Sequence, residues 1–93
     1  MTEKLSTGEV EERLASLEGW SLADGKLERQ FKFPDFARAF GFMASAAIEA
    51  DKLDHHPEWS NVYNKVKVHL VTHEAKGITD LDFQLARKMN ELA

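Results

Sequence analysis

Three of the four histidines in this 93-residue sequence, His55, His56 and His73, fall at the ends of the elements its patterning predicts. An imidazole changes charge near neutrality, so a histidine cluster beside carboxylates can hold acid and base forms together and move protons at physiological pH. Asp51, Asp54, Glu74 and Asp82 are the candidate carboxylates. Plainer readings compete with this one. Pro57 suffices as a helix terminator, Trp59 suits a core, and an adjacent histidine pair also suits a solvated helix exit. Asp82 fits the first turn of a helix, where the macrodipole favours a carboxylate. His69 lies on the polar parity of a strand and reads as solvated. Three imidazoles and a carboxylate would satisfy zinc, but no His-x-x-x-His or His-Glu-x-x-His spacing sets two ligands on one helical face, and no metal is expected. Without cysteine or a Gly-x-Ser-x-Gly elbow, no activated nucleophile stands out.

The elements that must position these groups read as follows. From Ser6 to Leu17, Val10, Leu14 and Leu17 form one helical stripe, with Ser6 and Glu9 at capping-box spacing and Gly19 as a stop. Trp20 to Phe33 carries an Asp24-Gly25 pair between two short runs, a hairpin signal, because a primed turn needs positive φ at both positions. Leu27, Phe31 and Phe33 share a face that Arg29 interrupts, so Arg29 needs an edge or a partner. Asp35 caps a long helix in which Phe36, Phe40, Met43, Ala47 and Ala50 recur at helical spacing, Gly41 permits close packing on the sheet, and Pro57 sets the limit. Trp59 to Tyr63 and Lys65 to Thr72 form a second hairpin, with Val66, Val68, Leu70 and Thr72 facing one way and Lys65, Lys67 and His69 the other. Ile78 and Phe83 flank a cap at Thr79 as a hydrophobic staple, and a helix runs to the end. Trp20-Ser21 aligns with Trp59-Ser60, and Asp35-Phe36 with Asp82-Phe83, a weak repeat of hairpin then helix.

The expected fold is α+β: a four-stranded antiparallel sheet with helices packed on one face, in the order α-β-β-α-β-β-α, forming one domain over residues 1–93. Two sheet edges remain open, so a symmetric oligomer is expected. Twelve Lys+Arg against sixteen Asp+Glu give a formal charge of -4, which supplies no basic footprint for direct nucleic-acid binding. No apolar run reaches membrane-spanning length, and the charged N-terminus and lack of cysteine point to a cytoplasmic protein.

Asp51-Lys-Leu-Asp-His-His-Pro-Glu-Trp59, continuing through Ser-Asn-Val-Tyr-Asn-Lys65 to Thr72-His73-Glu74, resembles the signature of the pterin-4a-carbinolamine dehydratases, and Arg38-Ala-Phe-Gly-Phe-Met43 resembles their long helix. The resemblance implies dehydration of 4a-hydroxytetrahydrobiopterin to quinonoid dihydrobiopterin, recycling tetrahydrobiopterin after an aromatic amino acid hydroxylase, with no metal and no cofactor. It implies His55 and His73 as acid and base, His56 chiefly as a pterin-binding residue, and Asp82 as the aspartate that orients a histidine. Asp51 stands where related sequences often carry the longer glutamate, and Trp59 would form an apolar wall for the pterin. Backbone groups near Val62 to Tyr63 and Thr72 to Glu74 would read the ring edge. A homodimer or homotetramer is implied. So is an alternative, an oligomeric protein-binding module like the vertebrate members that serve a transcription factor as a dimerisation cofactor. A third reading keeps pterin binding but takes a molybdopterin-related substrate.

Overall fold

The computed structural model of the chain describes residues 3–93. It contains α1 (Thr7–Leu14), β1 (Ser21–Ala23), β2 (Lys26–Lys32), α2 (Phe36–Leu53), β3 (Glu58–Val62), β4 (Lys65–Leu70), a 3-10 turn over His73–Ala75, and α3 (Asp80–Leu92). The expected α+β order is observed, with one antiparallel sheet in the strand order β1-β2-β4-β3. The two hairpins therefore meet at the centre, where Leu27 faces Leu70 and Phe31 faces Val66 across β2 and β4.

Local chemistry sets the boundaries. Ser6 and Glu9 form the reciprocal capping box of α1. The helix nonetheless ends at Leu14 rather than Leu17, because the chain must turn through Gly19, at φ +83°, to bury Leu17 and Trp20. Asp24 and Gly25 have φ of 52° and 75°, the left-handed pair a primed hairpin turn needs. Asp35 caps α2, and Asp54, at φ 49°, ends it in a left-handed C-cap just before His55 and His56. The repeat holds for the hairpins but not for the helix starts. Asp35 is the N-cap of α2, whereas Asp82 is the third helical residue of α3 and Thr79 its N-cap.

One face of the sheet carries the core. Leu27, Phe31, Val66, Val68 and Leu70 pack with Phe83, Leu85, Ala86 and Met89 of α3 and with the buried stripe of α2. That stripe is Ala39, Phe42, Ala46 and Ala50, rotated from the expected one. Phe36 and Phe40 are instead 50% and 58% exposed, and Ile48 joins them on the outside. The helix is apolar on both sides, so periodicity admits two faces. The alanines choose between them by letting the backbone approach the sheet while Phe42 meets Phe31 at 4.6 Å between ring centroids. Gly41 does not serve close packing, since a Cβ built there would meet nothing within 4 Å. Arg29 finds the partner it needs: its guanidinium lies 4.4 Å from the Phe31 centroid and donates to the Glu18 carbonyl and the Asn90 side chain. Among the described residues, no helix is long and apolar enough to cross a membrane.

Candidate functional site

Antiparallel pairing decides where the histidines go. The start of β3, the end of β4 and the start of β2 lie at one end of the sheet, with Glu58 opposite His69 and Leu27 opposite Leu70. His55 and His56 enter that end from the exit of α2, and Thr72 and His73 leave it from β4. The N-terminus of α3 closes against the same place through Thr79 and Asp82, which bond to Thr72.

Each of the three histidines engages a carboxylate through Nε2, but in different surroundings. His55 is 7% exposed, and its Nε2 lies 2.5 Å from Oδ1 of the fully buried Asp82. The other oxygen of Asp82 accepts from the Thr72 hydroxyl and the Thr79 backbone N–H, both at 2.9 Å. Thr72 has one hydroxyl proton and gives it to Asp82, so Thr79 donates the 2.7 Å bond between the two hydroxyls. Asp82 is thus a helix cap and the anchor of His55 at once. No buried side-chain nitrogen or oxygen among the described residues lacks a hydrogen-bond partner. Nδ1 of His55 makes no hydrogen bond among the described residues, so the ring is fixed through Nε2 alone.

His56 is exposed, and its Nε2 lies 2.9 Å from Asp51 Oδ1, so the shorter aspartate does contact a histidine. His73 is exposed as well, with Nε2 2.8 Å from Glu58 Oε2. Glu58 Oε1 accepts from Lys26 Nζ at 2.6 Å. The Lys26 and His73 hydrogen bonds, in that order, hold the Glu58 carboxyl below the usual glutamate range. Glu58 is a site carboxylate that the sequence reasoning passed over. Its signal was strand alternation, which sends Trp59 to the covered face opposite Val68 and leaves Glu58 on the open face opposite His69. The Thr72 side chain was read only as part of the covered strand face, although a buried hydroxyl beside His73 is a polar group that must find a partner.

The other expected residues are placed less centrally. Trp59 is half-buried and packed against the core. Asp54 and Glu74 are exposed and hydrogen-bond no histidine among the described residues. Thr72 to Glu74 lies at the histidine end, but Val62 to Tyr63 lies at the opposite end of β3, about 14 Å away at the usual strand rise, and does not border the same site. His69 pairs with Glu28 at 2.6 Å on the open face of the sheet. Among the described residues, no three histidine or acidic side chains are arranged to hold a metal ion.

Residues 3–92 match the family described as Pterin 4 alpha carbinolamine dehydratase. The chain belongs to this family. A Brucella ovis protein provisionally named pterin-4-alpha-carbinolamine dehydratase is 54% identical over 92 residues, covering 97% of this chain and 95% of that protein. A Brucella canis protein of the same name matches equally. The crystal structure of a protein described as a transcriptional coactivator/pterin dehydratase, from Brucella melitensis, superposes with a TM-score of 0.95 at 54% identity, covering 98% of this chain and 99% of that one. The activity in the family name, loss of water from a carbinolamine, is a hydro-lyase reaction.

Proposed function

We propose that this protein dehydrates 4a-hydroxytetrahydrobiopterin to quinonoid dihydrobiopterin and water, with His55 and His73 exchanging the protons. The observation that carries the reading is that each of these imidazoles is braced by a carboxylate through Nε2, while Nδ1 of neither ring is hydrogen-bonded among the described residues. Breaking the C4a–O bond needs a proton delivered to the leaving hydroxyl, and the ring system must surrender one proton as the new double bond forms. Two imidazoles at one sheet end supply both transfers, and a positioned acid or base typically contributes about 10²- to 10⁴-fold. The chemistry requires neither an electron acceptor nor a Lewis acid.

His55 is immobilised by Asp82 and the two threonines, so its proton leaves or arrives along a fixed direction. His56, exposed and held by Asp51, is suited to bind the pterin's polar edge, and the exposed part of Trp59 to flank it. Freshly generated 4a-hydroxytetrahydrobiopterin, supplied by an aromatic amino acid hydroxylase, is the test substrate. Catalytic amounts of protein should accelerate its decay to the quinonoid form, and activity should survive exhaustive chelation. A rate equal to the uncatalysed one would dismiss the reading.

A second reading draws on the Brucella melitensis relative, whose description pairs coactivator with pterin dehydratase. The exposed Phe36, Phe40 and Ile48 of α2 offer an apolar stripe to a second copy or a partner protein, which supports a homodimer or homotetramer. Sedimentation equilibrium tests this directly; a monomer at all concentrations would remove it.

A further inference from the structure

Among the described residues, His73 is the one site histidine whose partner carboxylate is itself held by a second charged side chain. Glu58 spends Oε2 on His73 and Oε1 on Lys26, so neither oxygen is free to turn away. Lys26 comes from the first residue of β2 and reaches Glu58 of β3 across the intervening β4. His69, the register partner of Glu58, does not compete, because it bonds Glu28 instead. The same two hydrogen bonds, that of Lys26 first, favour the ionised carboxyl. An ionised carboxylate can only accept, so the nitrogen facing it must carry the hydrogen.

We propose that Glu58, braced by Lys26, is a positioning residue for His73: it fixes the proton on Nε2 and makes Nδ1 the atom that exchanges a proton with the substrate. This rests on the reading of His73 as a proton-transfer group. The proton balance is simple. Neutral His73 takes a proton at Nδ1 and becomes an imidazolium whose Nε2–H stays on Glu58; release from Nδ1 restores the starting tautomer, and Glu58 never accepts the proton. Buried histidine–carboxylate pairs in other enzymes follow the same logic. Here the pair is solvent-facing, with side-chain exposures of 72% and 40%, so its effect is smaller.

The test is steady-state dehydration by wild type, Glu58→Ala, Glu58→Gln, Lys26→Met, His73→Ala and the Glu58→Ala/His73→Ala double variant, with imidazole ¹⁵N spectra of the folded proteins. Glu58→Ala should lower kcat about fivefold, near the upper end for an exposed ion pair, with KM unchanged. Glu58→Gln, whose amide oxygen still accepts the Nε2–H, should retain more activity than Glu58→Ala, and Lys26→Met should fall between wild type and Glu58→Ala. In the His73→Ala background, Glu58→Ala should cost nothing further. Neutral His73 in wild type should carry its proton on Nε2. Equal losses from Glu58→Ala with and without His73, wild-type kcat in Glu58→Ala, or a proton on Nδ1 would each overturn the assignment while leaving the dehydratase reading intact. Wild-type turnover by His73→Ala would instead overturn that reading and the inference with it.

Discussion

Asp82 has no exposed surface and satisfies three donors at once: His55, the Thr72 hydroxyl and the Thr79 backbone N–H. Asp82→Ala would strand the His55 Nε2–H and the Thr79 backbone N–H beneath the surface, while the Thr72 hydroxyl can turn to Thr79, and a buried donor left without an acceptor costs about 1–3 kcal/mol. The variant should lose about 3 kcal/mol or more in chemical denaturation, along with activity. His73→Ala should barely move the denaturation midpoint, because the ring is 72% exposed and makes one solvent-facing bond. The contrast separates a residue that builds the candidate site from one proposed to exchange protons in it. At this scale the sequence was legible for His55, His56, His73 and Asp82, which come to one end of the sheet. Glu58 was not, because a lone glutamate at a strand start looks solvated until the register sets it beside Lys26 and His73. The double use of Asp82 was equally hidden: its capping role was complete in itself, and only the exit angle of α2 brings His55 onto its other oxygen.

At the scale of elements, two glycines predict opposite outcomes. Gly19 holds φ +83°, and a Cβ there would lie 2.6 Å from Cζ of Arg29, the guanidinium that bridges Glu18 and Asn90. Gly19→Ala should therefore destabilise by about 2 kcal/mol through backbone strain and a displaced Arg29. Gly41 lies within α2 with nothing within 4 Å of its virtual Cβ. Gly41→Ala should stabilise by about 0.5–1 kcal/mol, since alanine restricts the unfolded chain and favours the helix. Thermal or urea denaturation checks both signs. The Asp24-Gly25 turn, the caps at Ser6, Asp35 and Thr79, and the alternation in β4 were readable because each is local chemistry. The rotation of α2 was not readable. Its two apolar faces are equivalent to periodicity, and only the space beneath the sheet selects Ala39, Phe42, Ala46 and Ala50.

Across the whole molecule, α1 is tied to α3 by Arg13 and Asp80, 2.6 Å apart, while Gln84 supports the other Asp80 oxygen. Gln84 first, then Arg13, hold the Asp80 carboxyl below its ordinary value of 3.8. A carboxyl depressed on folding stabilises the native state above its unfolded pKa and loses that contribution as pH falls through the folded value. The stability advantage of wild type over Asp80→Asn should thus be present at pH 7 and shrink as pH drops below about 3.8, the ordinary aspartate value. It should be small, since the pair is partly exposed at 37% and 45%, and urea midpoints at both pH values will read it. The central claim concerns the sheet end where two hairpins and two helices converge. The measurement that tests it most directly is stopped-flow dehydration of freshly generated 4a-hydroxytetrahydrobiopterin by wild type and His73→Ala side by side. Wild type should accelerate the reaction, and the folded variant should lose about 10²-fold or more of that acceleration. Equal acceleration by both, or none by either, would contradict the account.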